Sequence, residues 1–397
     1  MLDLKINNLY MIFGKEPEKT FPLIEKNLTR KEIKERTGQV VALRNINLEI
    51  NKGEIFVIMG LSGSGKSTLI RCINRLITPT KGEILVGNEK TNILELNENE
   101  LINLRRKKFG MVFQRFGLLP HRSVLENVIL GLEIQGIPKE KMEDIGKKTL
   151  KAVGLSGWEN SMPDELSGGM KQRVGLARAL AVDPDILLMD EPFSALDPLI
   201  RDTMQEELLR IQRKMKKTII FITHDLNEAV KLGNRVAILN EEGDIVQIDT
   251  VENILLNPAS KFVGTFVQNV DRHKVIKVEF ITKKNKVLLT QDVNPSEAID
   301  LLKKSKANNS FVVDENKVLL GVVSLAELEK AKSEGIKTIN TIIKKCNAIE
   351  NVTTLDEALP LLITSKTAVP VVNEEGVLLG YASEKTAVNI LRGEQND

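Results

Sequence analysis

Apolar and polar positions alternate in two registers along this chain. Between Asn45 and Ile50, the apolar Ile46, Leu48 and Ile50 interleave with Asn45, Asn47 and Glu49, the period of two that marks a half-buried strand. The runs Ile55–Met59, Phe109–Phe113, Ile186–Met189, Thr218–Thr223 and Arg235–Leu239 are short and mostly apolar, with helix-length segments between them. That alternation predicts an α/β sheet covered by helices. From about Thr91 to Val182 the pattern is mainly helical, which predicts a helical subdomain at about 91–182 inserted into the sheet domain. A charged insert at about 15–40 separates the first segment, ending at Phe13-Gly14, from the strand that follows. Inside it Thr29-Arg30-Lys31-Glu32 has the form of a capping box, and Gly38 stands where a helix would end. A short surface helix is expected there, with Leu23, Ile24, Leu28 and Ile33 on its apolar face.

Past about Lys274 the chain repeats itself. Glu297-Ala298 corresponds to Glu357-Ala358, Leu301-Leu302 to Leu361-Leu362, and Ser305-Lys306 to Ser365-Lys366, each pair 60 positions apart. After a one-residue slip, Val312-Val313 matches Val371-Val372, Ser324 matches Ser383, and the Val-Leu-Leu-Gly at 318–321 recurs at 377–380. Each copy opens a helix with a capping signature, Asn294-Pro295 in one and Thr354 with Glu357 in the other, and two short apolar strands follow. A unit of this size has apolar faces to bury, so the copies are expected to pack on each other as a second, α+β domain. The expected division is an α/β domain at 1–265, a linker at 266–273, and the tandem repeat at 274–397, with copies at about 274–334 and 335–397.

Composition narrows the class. With 397 residues, 42% hydrophobic and 28% charged, the chain is of ordinary globular make-up, and its length suits two or three domains. The longest apolar runs fall far short of the ~18–20 residues that span a bilayer, so a membrane role is expected to work through a partner. The start, Met1-Leu2-Asp3-Leu4-Lys5, lacks a secretory pattern, and a cytosolic location is expected. The two cysteines, Cys72 and Cys346, and only three histidines give no disulfide or zinc framework. A net charge of +2 gives no reason to expect nucleic acid as a partner.

The chemistry begins at Gly60, where Gly60-Leu61-Ser62-Gly63-Ser64-Gly65-Lys66-Ser67 follows the apolar run Ile55–Met59. This is a complete phosphate-binding loop, in which glycines let backbone N–H groups face phosphates and the following helix adds its positive dipole end. ATP and Mg²⁺ are the expected ligands: Gly60, Ser62, Gly63, Ser64, Gly65, Lys66, Ser67 and Thr68 for the nucleotide, with Lys66 on the β and γ oxygens and Ser67 on the metal. The apolar run from Ile186 ends in Asp190-Glu191. Asp190 suits Mg²⁺, directly or through water, and Glu191 suits a general base that polarises water. Leu166-Ser167-Gly168-Gly169-Met170 is a second anion-binding helix start, and two phosphate-facing surfaces on one chain suggest a composite site.

With these motifs in place, the first roughly 260 residues resemble the ATP-binding subunits of ABC transporters, in which the phosphate loop of one subunit and the signature segment of another enclose each ATP. The resemblance implies an ABC-type P-loop ATPase fold with an inserted helical subdomain. It gives Gln114 as the Q-loop residue that senses Mg²⁺ and faces the transmembrane partner, Asp197 in the D-loop, His224 as the switch histidine near the γ-phosphate, and Ser167, Gly168 and Gly169 as ATP contacts from the second subunit. Phe13 resembles the aromatic that stacks on adenine. Met170 stands where the signature usually carries Gln, which leaves the Ser hydroxyl and Gly amides in place.

The insert before Val40, the run from Ile58 to Ser67 leading into Asn74-Arg75-Leu76, Phe113 to His121, Ser167 to Met170 and Phe193 to Arg201 together resemble the ATPase subunit of glycine betaine/proline betaine importers. The tandem repeat resembles the paired CBS domains such subunits carry. This implies a homodimer beneath permease subunits served by a betaine-binding protein or domain, held peripherally at the cytoplasmic face of the membrane, with Phe116 to Asn127 meeting the permease. Importers of choline, carnitine or methionine, and a soluble ABC ATPase outside transport, are the alternatives. CBS pairs often hold a ribose with Gly-x-x-Ser/Thr-x-x-Asp, and here Glu327 and Thr386 stand in the Asp positions. Cyclic di-AMP is the expected regulatory ligand, with Val312, Ser324, Val371 and Ser383 as candidate contacts. A response to ionic strength through Lys283, Lys284 and Lys286 is the competing expectation.

Overall fold

The computed structural model describes residues 1–87, 90–113, 117–194, 196–268, 270–365 and 367–391. The chain divides into two compact units, Met1–Val270 and Asp271–Asp397.

The first unit carries two sheets. Six strands lie in the order Ile245–Asp249, Arg235–Leu239, Ile55–Gly60, Thr218–Ile222, Ile186–Asp190, Phe109–Val112. All neighbours are parallel except the Ile245–Asp249 edge. Strands buried on both faces have no polar side to show, which is why Ile55–Gly60, Ile186–Asp190 and Thr218–Ile222 read as continuous apolar runs. The second sheet is antiparallel, in the order Val40–Asn51, Leu2–Phe13, Lys81–Val86, Thr91–Asn92. One of its faces is solvated, so Val40–Asn51 keeps the alternation seen in sequence.

Helix Lys66–Ile73 lies in the core shared by the two sheets. Its Leu69, Ile70 and Ile73 are fully buried with Leu43 and Ile46 of one sheet and Phe56, Ile58, Leu188 and Ile220 of the other. The helix that begins at the phosphate loop is therefore gripped from both sides. The helices Val124–Ile134, Lys139–Ala152 and Gly168–Ala181 pack against one another. Gly146 permits a close approach of the second to the first, since a Cβ there would sit 2.6 Å from Ile129 and Leu125 side-chain atoms.

The insert folds on the outside of the antiparallel sheet. Pro17–Thr20, Phe21–Glu25 and Arg30–Thr37 are helical, and Thr29 and Glu32 form the reciprocal capping box, with Gly38 closing the helix at φ 71°. Ile24 and Ile33 are buried with Ile12 and Val41, while Leu23 and Leu28 cover their rim. Tyr10 and Phe21 meet edge to face, with ring centroids 5.4 Å apart.

The second unit consists of two like halves. Strands Leu288–Thr290, Asn309–Val313 and Leu319–Ser324 form one sheet, and Ile349–Glu350, Val369–Val372 and Leu378–Ala382 the other. The halves exchange their leading segments. Lys283, ahead of the first sheet, pairs with Tyr381 in the second, and Lys344, ahead of the second, pairs with Val322 in the first. Phe311, Val313, Val372 and Leu378 bury a common seam.

Candidate functional site

The phosphate loop leaves the sheet at Gly60, where a Cβ would come within 2.5 Å of Leu239 O and 2.7 Å of Ser64 Oγ. At Gly65, φ is +110° and a Cβ would lie 2.4 Å from Ala42 O, so no other residue fits the turn into the helix. Lys66 is buried, and its Nζ donates to Gly60 O (2.8 Å) and Leu61 O (3.0 Å), folding the side chain back along the loop. Burial pushes its pKa below the usual lysine value, and Glu191 and Asp190 oppose that shift. Ser67 Oγ donates to Asp190 Oδ1 at 2.8 Å, which ties the loop to the end of the next strand but one in the sheet. Burial pushes the Asp190 carboxyl up, against the Ser67 hydrogen bond and Arg71, whose Nη2 lies 3.9 Å away.

Glu191 adopts φ +46°, a left-handed conformation rare outside glycine and concentrated at functional sites. Its N–H donates to Ile222 O (3.1 Å), and Ser194 Oγ donates to its carbonyl (3.0 Å). These contacts fix the turn so that Glu191 Oε2 lies 3.1 Å from His224 Nδ1. His224 follows the end of the adjacent strand, so two parallel neighbours deliver the pair side by side. Beneath it, Thr223 Oγ1 donates to the buried Glu228 at 2.5 Å, and Glu228 in turn accepts from Gln205.

The structure thus brings Lys66, Ser67, Asp190, Glu191 and His224 into one site. Ser62 and Gly63 are exposed on the loop, Thr68 is half-buried in the first helical turn, and the Ser64 hydroxyl is buried with no hydrogen-bond partner among the described residues. A buried lysine, a cradle too tight for a Cβ and a serine hydroxyl beside a carboxylate suit a triphosphate with a hard divalent cation. Mg²⁺ keeps several waters and needs few protein ligands, so Ser67 and Asp190 are a sufficient set.

Other expected residues lie elsewhere. Ser167 caps helix Gly168–Ala181, its hydroxyl accepting from Met170 N (3.3 Å), and among the described residues no atom within 4 Å would meet a Cβ at Gly168. Asp197 is exposed and caps Pro198–Met215 through Ile200 N (3.0 Å). Phe13 ends its strand opposite Val40 and is 42% exposed. Gln114 lies outside the described residues.

In the second unit, Val312 and Val371 are fully buried core residues, and Ser324 and Ser383 are helix caps bonded to Glu327 and Thr386. Val312 and Val371 thus lie within the packing of their own halves, while Ser324 and Ser383 stay partly exposed at their helix starts. A cleft of about 240 Å³ in the same unit is lined by Asn285, Lys286, Asn309, Phe311, Ala368 and Tyr381 among others. Sequence reading missed it because the lining comes from both repeats.

Arg30 and Arg71 also escaped the sequence reading. Both sit on helices, where a basic residue ordinarily faces solvent, and only the fold turns them toward the site.

The "ABC transporter" family matches residues 43–194, and the "CBS domain" family matches residues 278–334 and 343–393. The glycine betaine/proline betaine transport system ATP-binding protein ProV of Salmonella typhimurium is 43% identical over 393 residues, covering 98% of each chain. The glycine betaine transport ATP-binding protein OpuAA of Bacillus subtilis is 43% identical, covering 99% of this chain and 93% of its own. Among solved structures, a dimeric post-hydrolysis state of the ATP-binding cassette MJ0796 bound to ADP and Pi is 33% identical with a TM-score of 0.53, covering 62% of this chain and 98% of the cassette. Among the described residues, no helix is long and apolar enough to cross a membrane. On identity sustained across both units, this chain belongs to the family of ABC transporter ATP-binding subunits represented by the glycine betaine/proline betaine transport proteins.

Proposed function

We propose that this protein hydrolyses ATP to drive uptake of a glycine betaine-type quaternary ammonium solute through a partner permease. The observation that carries this reading is end-to-end similarity to betaine transport ATP-binding proteins, joined to a site that assembles Lys66, Ser67, Asp190, Glu191 and His224. Lys66 leaves its loop carbonyls to meet the β and γ oxygens of ATP, and Ser67 and Asp190 hold Mg²⁺. The cation, when bound, neutralises charge on the phosphates. Glu191 takes a proton from water as it attacks, and His224 orients Glu191 and the γ-phosphate. Gln114 couples the site to the permease. Phe13 stacks on adenine.

Ser167, Gly168 and Gly169 serve the ATP of a second copy, with Asp197 beside them, so the active form is a homodimer. The open space at Gly168 supports this, because it leaves the start of the helix clear for a facing phosphate. The dimer sits peripherally on the cytoplasmic face of the membrane, under permease subunits supplied by a betaine-binding protein or domain. Gentle extraction of native membranes with the tagged chain should recover such a permease, and cells lacking the chain should lose uptake of labelled glycine betaine. Retained betaine uptake with lost choline or carnitine uptake would reassign the solute.

Regulation by cyclic di-AMP at the paired repeats is supported by the cleft beside Phe311 and Tyr381, which is of a size for a base and offers an aromatic and amide groups. Calorimetric titration of the full-length protein should give binding at micromolar dinucleotide, and no heat in that range sinks the idea.

A further inference from the structure

The insert is fastened to the phosphate loop through one side chain. Arg30 occupies the first turn of helix Arg30–Thr37, and its backbone N–H donates to Glu242 Oε2 at 2.6 Å. Its guanidinium reaches across the strand Val40–Asn51. There Nη1 donates to Gly63 O (3.0 Å), and Nη2 donates to Ser64 O (3.1 Å) and to Ala42 O. Gly63 and Ser64 are interior residues of the loop, and Ala42 O is the atom that a Cβ at Gly65 would strike.

We infer that Arg30 is a positioning residue for ATP, holding the phosphate loop in its binding conformation from behind. In a trans peptide the carbonyl and the following N–H point in opposite directions. Fixing Gly63 O and Ser64 O therefore aims the N–H groups of Ser64 and Gly65 away from Arg30. The cationic donor also polarises those two peptides, making their N–H groups better donors. A planar fork that bonds three carbonyls at once suits this task better than a flexible ammonium.

Arg30 is itself held. Glu242 fixes its backbone, and Glu242 and Asp244 favour its charge against the cost of burial. Arg44 anchors the other end of the insert, donating to Ile24 O (3.3 Å), Asn27 Oδ1 (3.1 Å) and Leu28 O (3.5 Å). The insert thus works as a brace between the 240–244 turn and the phosphate loop.

This rests on the reading of residues 60–67 as the ATP site, which Lys66→Ala tests independently. If wild type binds a fluorescent ATP analogue with Mg²⁺ and Lys66→Ala does not, that reading stands whatever Arg30 does. In the full-length protein, Arg30→Ala is expected to raise both the Kd of the analogue and the KM for ATP by about tenfold, with kcat within about threefold. Arg30→Lys should fall between, since it keeps charge but loses the fork, and Arg36→Ala on the exposed side of the helix should stay within about twofold. Kd and KM within about twofold of wild type for Arg30→Ala overturn the inference, as does a smaller active fraction with unchanged KM. Should Arg30→Ala not fold, Arg30→Gln and Arg30→Lys are read on the same scale.

Discussion

Glu191 Oε2 lies 3.1 Å from His224 Nδ1, two residues 33 positions apart in the chain that follow the ends of two neighbouring parallel strands. The histidine is well exposed and the carboxylate is mostly covered, so the pair presents one protected base and one solvent-facing partner. Replacing Glu191 with Gln keeps the shape and removes the base. Steady-state ATP hydrolysis is expected to slow by ~10²–10⁴ while ATP binding persists, and near-normal turnover would remove Glu191 from that role. His224→Ala should slow turnover with little change in nucleotide affinity.

Asp190 illustrates a conflict between stability and function. Burial raises its carboxyl pKa, so the folded protein holds the proton more tightly than the unfolded chain. Stability from this group is greatest at low pH and falls as pH rises through the folded pKa. Asp190→Asn removes that loss. The variant without nucleotide should melt above wild type at pH 7, and the gap should shrink as pH falls toward the ordinary Asp range. Its Mg²⁺-dependent ATPase should be strongly reduced. A gap that widens on acidification contradicts this account.

The two thiols should behave differently. Burial pushes the Cys72 thiol up to about 12, leaving almost no thiolate at pH 8, whereas Cys346 is only half-buried. A disulfide reagent should titrate Cys346 first in the native protein, and Cys72 only on unfolding. Two fast thiols in native protein would contradict the burial of Cys72.

The exchange of leading segments in the second unit has its own test. A Cβ at Gly380 would lie 2.3 Å from Lys283 O, and one at Gly321 would lie 2.2 Å from Lys344 O. Gly380→Val should detach the first leading segment and expose 277–286 to limited proteolysis, and Gly321→Val should do the same around Lys344. Wild-type protease resistance in both variants would mean that the pairing contributes nothing.

The insert is fixed by burial as well as by Arg30. Ile33→Ala removes a fully buried side chain between Ile12, Ile24 and Val41, and should cost about 2–4 kcal/mol by chemical denaturation of the first unit. A loss below about 1 kcal/mol would mean that the insert is not packed in solution.

Much of this was legible in the sequence because it is local. The phosphate loop, the Asp190-Glu191 strand end, the signature helix start and the capping box at Thr29 are each set by neighbours within a few positions, where backbone sterics and capping chemistry act directly. The buried parallel strands were legible for the same reason, since burial on two faces leaves a continuous apolar run. The internal repeat exposed the second unit through recurrence alone.

What the sequence could not determine depends on residues far apart in the chain. The Glu191–His224 contact, the burial that shifts Lys66 and Asp190, and the cleft beside Tyr381 exist only once strands are ordered and registered. In the second unit, only the fold shows that Val312 and Val371 are buried and that Ser324 and Ser383 start helices. Arg30 shows it from the other side. By sequence it is one more basic residue on a surface helix, and its three carbonyl partners lie 12 to 34 positions away. Local propensity determined that the helix forms; the packing of Ile24 and Ile33 on the sheet decided which way its first residue points.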